Sequence, residues 1–372
     1  MGVFLFINAF LIGLVQSQTL QTFCTLPSLC NDGSIIDPRI LTNGAPGSNP
    51  PRANLPGSNF PGLNSVGAIS GANIGTNIIT PPGSTTNCPA GYISCSNITC
   101  GTPSAQPGSQ DGFATPNAFP WQVFIRNNLN LAVNNGYAGG GVLLDPYTVL
   151  TAAHKVTNLT SISVLVGVYN IGNLSAAQAA QVSQVWIHTN YNQTYLKNDV
   201  AILRLATTIL INTNAMPICL PLSGSNYAGS SGTSCVVSGW GQTSFTVADA
   251  PTQVLRQVHV PIVTNSQCVA SYNAILGTAN TAAYLDLPNE ICAGGQAQLD
   301  TCTQDGGSPL VCPSSNGPFS LVGLVLWGKN CGQPGRYGVY LNVPSYVNWI
   351  QCTQQCIQGN FNCLACPATQ FL

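Results

Sequence analysis

Two short stretches carry the residue types needed for nucleophilic hydrolysis. His154 stands in Thr148-Val-Leu-Thr-Ala-Ala-His-Lys-Val156, and Asp199 in Lys197-Asn-Asp-Val-Ala-Ile-Leu-Arg-Leu205. Acyl transfer needs an imidazole base, a carboxylate to orient it, and a hydroxyl beside backbone donors for the oxyanion. The first two are present, each at the edge of a strand-like run. The hydroxyl is sought in Gln304-Asp305-Gly306-Gly307-Ser308-Pro309-Leu310-Val311-Cys312. The other histidines, His188 and His259, lie far in sequence from any further ligand, so no metal site and no cofactor is expected.

These residues need a scaffold. From Phe119 onward the chain becomes a series of short apolar runs, among them WQVFI, GGVLL, ISVLVGVY, VAILRL, SCVVSGW, VLRQVHVPIV and FSLVGLVLW, separated by turn residues. Such a pattern predicts an all-β architecture of one or two closed barrels. Tyr346, Trp349 and Ile350 stand at helical spacing and predict one amphipathic helix near the end.

The order and spacing of FPWQV, TAAHKV, NDVAILRL, MPICLP, VSGWG, ICAGG and WGKNCGQPGRYGVY make the region from about Phe119 to Ile350 resemble the chymotrypsin-type serine proteases. The resemblance implies a double six-stranded β-barrel with a C-terminal helix and a site between the barrels. That family reads Gly-Asp-Ser-Gly-Gly-Pro-Leu-Val-Cys where this chain reads Gln-Asp-Gly-Gly-Ser-Pro-Leu-Val-Cys. Aligning Asp305 and Pro309 leaves Gly306 in the nucleophile's place, where no acyl-enzyme can form. His154 and Asp199 are then vestigial. Ser308 is the one alternative nucleophile, but two residues of turn displace it by more than the roughly 3 Å that proton transfer allows. Gln304 replaces a glycine whose backbone donor serves the family's oxyanion hole, and Leu326 replaces a serine beside the aspartate. Asp300 matches the acid at the base of the specificity pocket, implying either a retained taste for a basic side chain or an inherited, neutralised acid. Family pairing implies the disulfides Cys100–Cys219, Cys235–Cys312, Cys268–Cys292 and Cys302–Cys331. The bond beside the catalytic His is absent, Gly139 and Lys155 occupying its two positions. No Lys or Arg lies between Arg52 and Arg126, so the usual activation cut is missing and Asp305 lacks the new amino group it would pair with.

The remaining chain fits an extracellular protein. Its 372 residues hold 16 cysteines, nine Lys plus Arg and ten Asp plus Glu, so that 5% are charged, against about 25% in a usual soluble domain. The net charge of -1 excludes a nucleic-acid footprint. Residues 1–17 read as a signal peptide and Gln18 as the mature start; no apolar run reaches the roughly 20 residues of a membrane span, so no anchor is expected. Sequons stand at Asn97, Asn158, Asn173 and Asn192. Residues 18–100 resemble a degenerate clip-like module, the disulfide-bonded domain ahead of many arthropod proteases, with a Gly/Pro/Asn-rich insertion at 31–87. The resemblance favours Cys24–Cys88 and Cys30–Cys95; a cysteine-stapled linker is the alternative. A linker (101–117), the protease-like domain (118–351) and a Cys-rich tail (352–372) follow. In the tail, Cys352, Cys356, Cys363 and Cys366 are read as disulfides in preference to zinc because the compartment is oxidising. Arg39 and Arg52 are the only basic residues before the barrels and are the expected cleavage sites.

Together these features resemble the clip-domain serine protease homologues of arthropods, of the phenoloxidase-activating-factor type. The resemblance implies a secreted, non-catalytic cofactor or regulator in innate immunity and melanisation. Its partners would be a cascade protease, a prophenoloxidase or a microbial surface, with an oligomer possible. A structural or gland-secreted protein reusing the protease fold is the competing reading.

Overall fold

The computed structural model describes residues 23–25, 88, 93–95, 100–228, 232–242, 251–287, 289–302, 304–313, 318–358 and 368–371. The signal peptide, the insertion, Asn97, Arg39, Arg52, Cys30, Cys363 and Cys366 lie outside them. In chain order the strands are β1 (Phe23–Thr25), β2 (Ile93–Cys95), β3 (Gly112–Phe113), β4 (Gln122–Asn127), β5 (Tyr137–Asp145), β6 (Thr148–Thr151), β7 (Ile162–Val166), β8 (Gln178–His188), β9 (Ala201–Leu205), β10 (Ser234–Gly239) and β11 (Arg256–Pro261). After them come α1 (Asn265–Leu276), α2 (Thr278–Tyr284), β12 (Glu290–Gly294), β13 (Pro309–Pro313), β14 (Phe319–Trp327), β15 (Tyr337–Asn342), α3 (Val343–Ile357) and β16 (Ala368–Phe371).

Six strands close the first barrel in the order β8-β7-β4-β5-β6-β9, with β9 returning to β8 through pairs such as Trp186↔Ile202. The second unit runs β12-β15-β14-β13-β10-β11, with β3 added outside β11. Its closure is slighter: only the isolated bridge Ile262↔Ala293 joins the two ends among the described residues.

Strand alternation explains why the runs read as apolar on both faces. Val123 and Ile125 of β4 fill the first barrel, whereas Phe124 between them faces the seam between barrels. Cys235 and Val237 of β10 fill the second unit while Val236 joins the same seam. There Phe124 packs against Tyr137 and Trp240 at centroid distances of 4.9 and 5.9 Å. The seam, buried on both sides, is what holds the site's two halves in register.

Helix α3 buries Tyr346, Trp349 and Ile350 in this seam, as their spacing predicts, and continues to Ile357. Two helices were not foreseen. α1 carries a reciprocal cap, with Thr264 Oγ1 accepting from the Gln267 amide and Gln267 Oε1 accepting from the Thr264 amide. The signature Thr-x-x-Gln was present in the sequence. In the stretch ahead of the first barrel the Gly101 amide donates to Pro217 O, and β3 pairs with β11. At the other end β16 pairs antiparallel with β8, Ala368 opposite His188 and Phe371 opposite Val185. β1 and β2 form a separate two-stranded ladder with Cys24 opposite Ser94. Disulfides join Cys100 to Cys219, Cys235 to Cys312, Cys268 to Cys292 and Cys302 to Cys331. Cys88, Cys352 and Cys356 are also disulfide-bonded.

Candidate functional site

The turn after β6 presents His154 to the seam, and the segment before β9 presents Asp199. Asp199 is fully buried. Its Oδ1 accepts the His154 backbone amide at 2.8 Å, and its Oδ2 lies 2.6 Å from His154 Nδ1. Two contacts from one carboxylate fix both the turn and the ring, and they aim Nε2 away from Asp199. A base and its orienting acid are therefore assembled.

Nε2 faces Gly306. A Cβ at residue 306 would lie 2.7 Å from His154 Nε2, so this is the backbone position from which a nucleophile would reach the base. The slot is not empty, however. The same Cβ would lie 2.5 Å from Lys155 Cε, and a Cβ at Gly139 would lie 2.8 Å from that carbon. Lys155 thus runs its stem through space that three side chains, one at each of 139, 155 and 306, would otherwise share. The Gly140 amide donating to Gly306 O at 3.0 Å keeps β5 and the 304–308 loop in that close approach.

Ser308 is fully buried, and its Oγ lies against Gly140 and Gly239, where a Cβ on Gly140 would collide with it.

Gln304 keeps a left-handed backbone with φ 75°, the conformation a glycine adopts without cost and a glutamine with strain of order 1 kcal/mol. Its carbonyl accepts from Tyr137 Oη at 3.3 Å. Leu326 is buried against the seam and offers Asp199 no donor. A cavity of about 240 Å³ opens here, lined by His154, Lys155, Gln304, Gly306, Trp327 and Asn330 among others.

Asp300 does not line that cavity. It faces a larger one of about 480 Å³, shared with Asp305, Asp111 and Arg256. Asp300 Oδ1 accepts from the Thr301 amide at 2.8 Å and Oδ2 from the Gly332 amide at 3.2 Å, while burial raises its pKa to about 7. Asp305 accepts amides from Gly241 at 2.8 Å and Cys302 at 3.0 Å; burial raises it to about 6, the charge of Lys155 opposing the rise. The segment ahead of the first barrel runs along this cavity, Asp111 and Gly112 forming part of its wall. Gln257 clamps it, accepting from the Gly108 amide at 3.2 Å and donating to Gly108 O at 2.7 Å and Gln110 O at 3.0 Å.

Lys155 is the participant that motif reading missed. The signal was available in the concurrence of small residues at 139 and 306 with a long one at 155. Buried Glu290, which receives Trp327 Nε1 at 3.2 Å behind the cleft, carried no comparable signal.

The fold, the oriented His–Asp pair and the cleft between barrels define a serine-protease scaffold, and the trypsin family model matches residues 111–350. The chain belongs to the trypsin family. It is 34% identical over 292 residues to an inactive CLIP domain-containing serine protease A3 of Aedes aegypti, covering 74% of this chain and 58% of that protein. It is 36% identical over 238 residues to protein masquerade of Drosophila melanogaster, covering 62% of this chain and 21% of the relative. Phenoloxidase-activating factor 2 of Galleria mellonella is 34% identical over 258 residues, 65% of this chain and 82% of that protein. Within the family the chain is thus similar to the inactive clip-domain homologues of insects, although it spans well under two thirds of the first two relatives.

Proposed function

We propose that this protein is a secreted, non-catalytic serine protease homologue that acts by binding protein partners in an extracellular proteolytic cascade, prophenoloxidase activation being the favoured one. The observation that carries the reading is Gly306 facing His154 Nε2, with the Lys155 stem in the space that a side chain at 306 would enter. A base and an orienting acid persist with no hydroxyl to activate. The similarity to inactive clip-domain proteases and to a phenoloxidase-activating factor supports the choice of cascade.

In this reading residues 1–17 are removed on secretion, Arg39 and Arg52 are the processing sites, and Cys24–Cys88 and Cys30–Cys95 hold the clip-like module together. Asn158, Asn173 and Asn192 are exposed, as glycan acceptors must be. The mature protein should show no turnover of Arg, Phe or Ala peptide esters and no fluorophosphonate labelling. Stoichiometric labelling at Ser308 would restore an enzyme. Immobilised mature protein should retain a cascade protease or prophenoloxidase from haemolymph and raise phenoloxidase activity when added back. Retention of neither, with no effect on activation, would reject the cofactor role.

A further inference from the structure

We propose that Lys155 is a covalent capture site for small aldehydes, its amine standing in the vacated nucleophile slot with His154 as proton carrier. The inference is independent of any partner protein, because every group it uses belongs to this chain.

Lys155 Cε and His154 Nε2 approach the same point, the Cβ position of residue 306, at 2.5 and 2.7 Å. The terminal nitrogen is one bond beyond Cε, which keeps the amine within about 4 Å of that point and on the wall of the same cavity. Both residues line the cavity of about 240 Å³, which is large enough for a small aromatic aldehyde beside Trp327. A lysine becomes a nucleophile when its neutral form is accessible, and desolvation favours that form. Lys155 follows that rule: burial lowers its pKa, and the opposing charges of Asp305 and Asp199, the acids that face it, do not cancel the effect.

The step is an imine condensation. The amine nitrogen attacks the carbonyl carbon, and His154 Nε2 takes up the proton released on addition. That proton then returns to the alkoxide oxygen to give the carbinolamine, and the second amine hydrogen passes by the same carrier to the hydroxyl, which leaves as water. One C=N bond replaces the C=O bond, both amine hydrogens depart in the water, and no electrons are exchanged. Asp199 holds His154 in the tautomer that allows this, its Oδ2 being 2.6 Å from Nδ1.

The chain makes the test clean, since its lysines are Lys155, Lys197 and Lys329 alone. Full-length mature protein would be treated with limiting benzaldehyde and cyanoborohydride at pH 7, and the benzylated lysines mapped by peptide mass spectrometry. Lys155 should be labelled at least about tenfold faster than Lys197 or Lys329, because burial favours its neutral form and a proton carrier stands beside it. His154→Gln should slow labelling of Lys155 by about tenfold or more while leaving the other two unchanged. The rates at Lys197 and Lys329, with the near-UV spectrum, report that the variant is folded. Lys155→Arg should remove the fast site altogether. Equal rates at all three lysines, or an unchanged Lys155 rate in the His154 variant, would overturn the proposal.

Discussion

Restoring one hydroxyl should not restore a protease. In Gly306→Ser the new side chain must displace the Lys155 stem before it can meet His154, because both want the same space. Adding Lys155→Ala clears that space but leaves Gln304 in the oxyanion loop. Loss of one such donor typically costs about 10²- to 10³-fold in rate. The single variant should stay near background on an Arg ester, and the double variant should remain at least about a hundredfold below an ordinary family protease. A rate within tenfold for the single variant would mean that only the serine was missing.

The buried acids set a second expectation. Glu290 is raised from 4.5 to about 8, Asp300 from 3.8 to about 7 and Asp305 from 3.8 to about 6, in each case chiefly by burial. An acid whose folded pKa is raised binds a proton in the native state that the unfolded chain has already released. Stability therefore falls as pH rises from about 4 towards 8, then levels. Thermal melts should show this decline, and Glu290→Gln should flatten its upper part between about pH 6 and 8. An identical pH profile in the variant would refute the role of Glu290.

Among the elements, β5 has little room for change. A Cβ on Gly140 would meet the Ser308 hydroxyl and backbone, whereas a Cβ on Gly139 meets mainly the flexible Lys155 stem. Gly140→Ala should cost about 1 to 3 kcal/mol by overpacking, and Gly139→Ala less, as read from denaturant midpoints. A smaller loss at Gly140 than at Gly139 would contradict this account of the close approach. Elements also show where sequence reading succeeds. The barrel strands were legible because β4 and β10 alternate between two apolar surroundings, giving dense runs of Val, Ile and Phe. The His–Asp–Gly geometry was legible because motif spacing transfers loop positions. α1 and α2 were not, since Asn-Ser-Gln and Thr-Ala-Asn-Thr-Ala-Ala present little apolar periodicity and only the Thr264 cap announces a helix. Nor was the destination of Lys155, because a side chain's path depends on gaps left by residues distant in sequence.

For the whole molecule, the scarcity of charge and the placement of basic residues make proteolysis selective. Limited trypsin treatment should cut first at Arg39 or Arg52, which lie in Pro/Gly-rich sequence, and spare the barrels. On a reducing gel the fragments should separate; without reductant, bonds from Cys24 and Cys30 to Cys88 and Cys95 should keep them together. Separation without reductant would refute that pairing.

The Cys100–Cys219 bond also decides how the molecule would respond to force. Just beyond it the Gly101 amide is tied to Pro217 O and the Phe319 amide to Gly101 O, so the chain entering the protease-like region is anchored between the barrels before it reaches β3. Tension drawn through the N-terminal segment would be received by a covalent link at residue 219 and passed into the inter-barrel connection. The segment between the two bonded cysteines, with β3 and the turn bearing His154, is bypassed by a load carried through the bond. Pulling on the leading segment would therefore spare the first barrel's half of the cleft, because the pull crosses to residue 219 before it reaches β3.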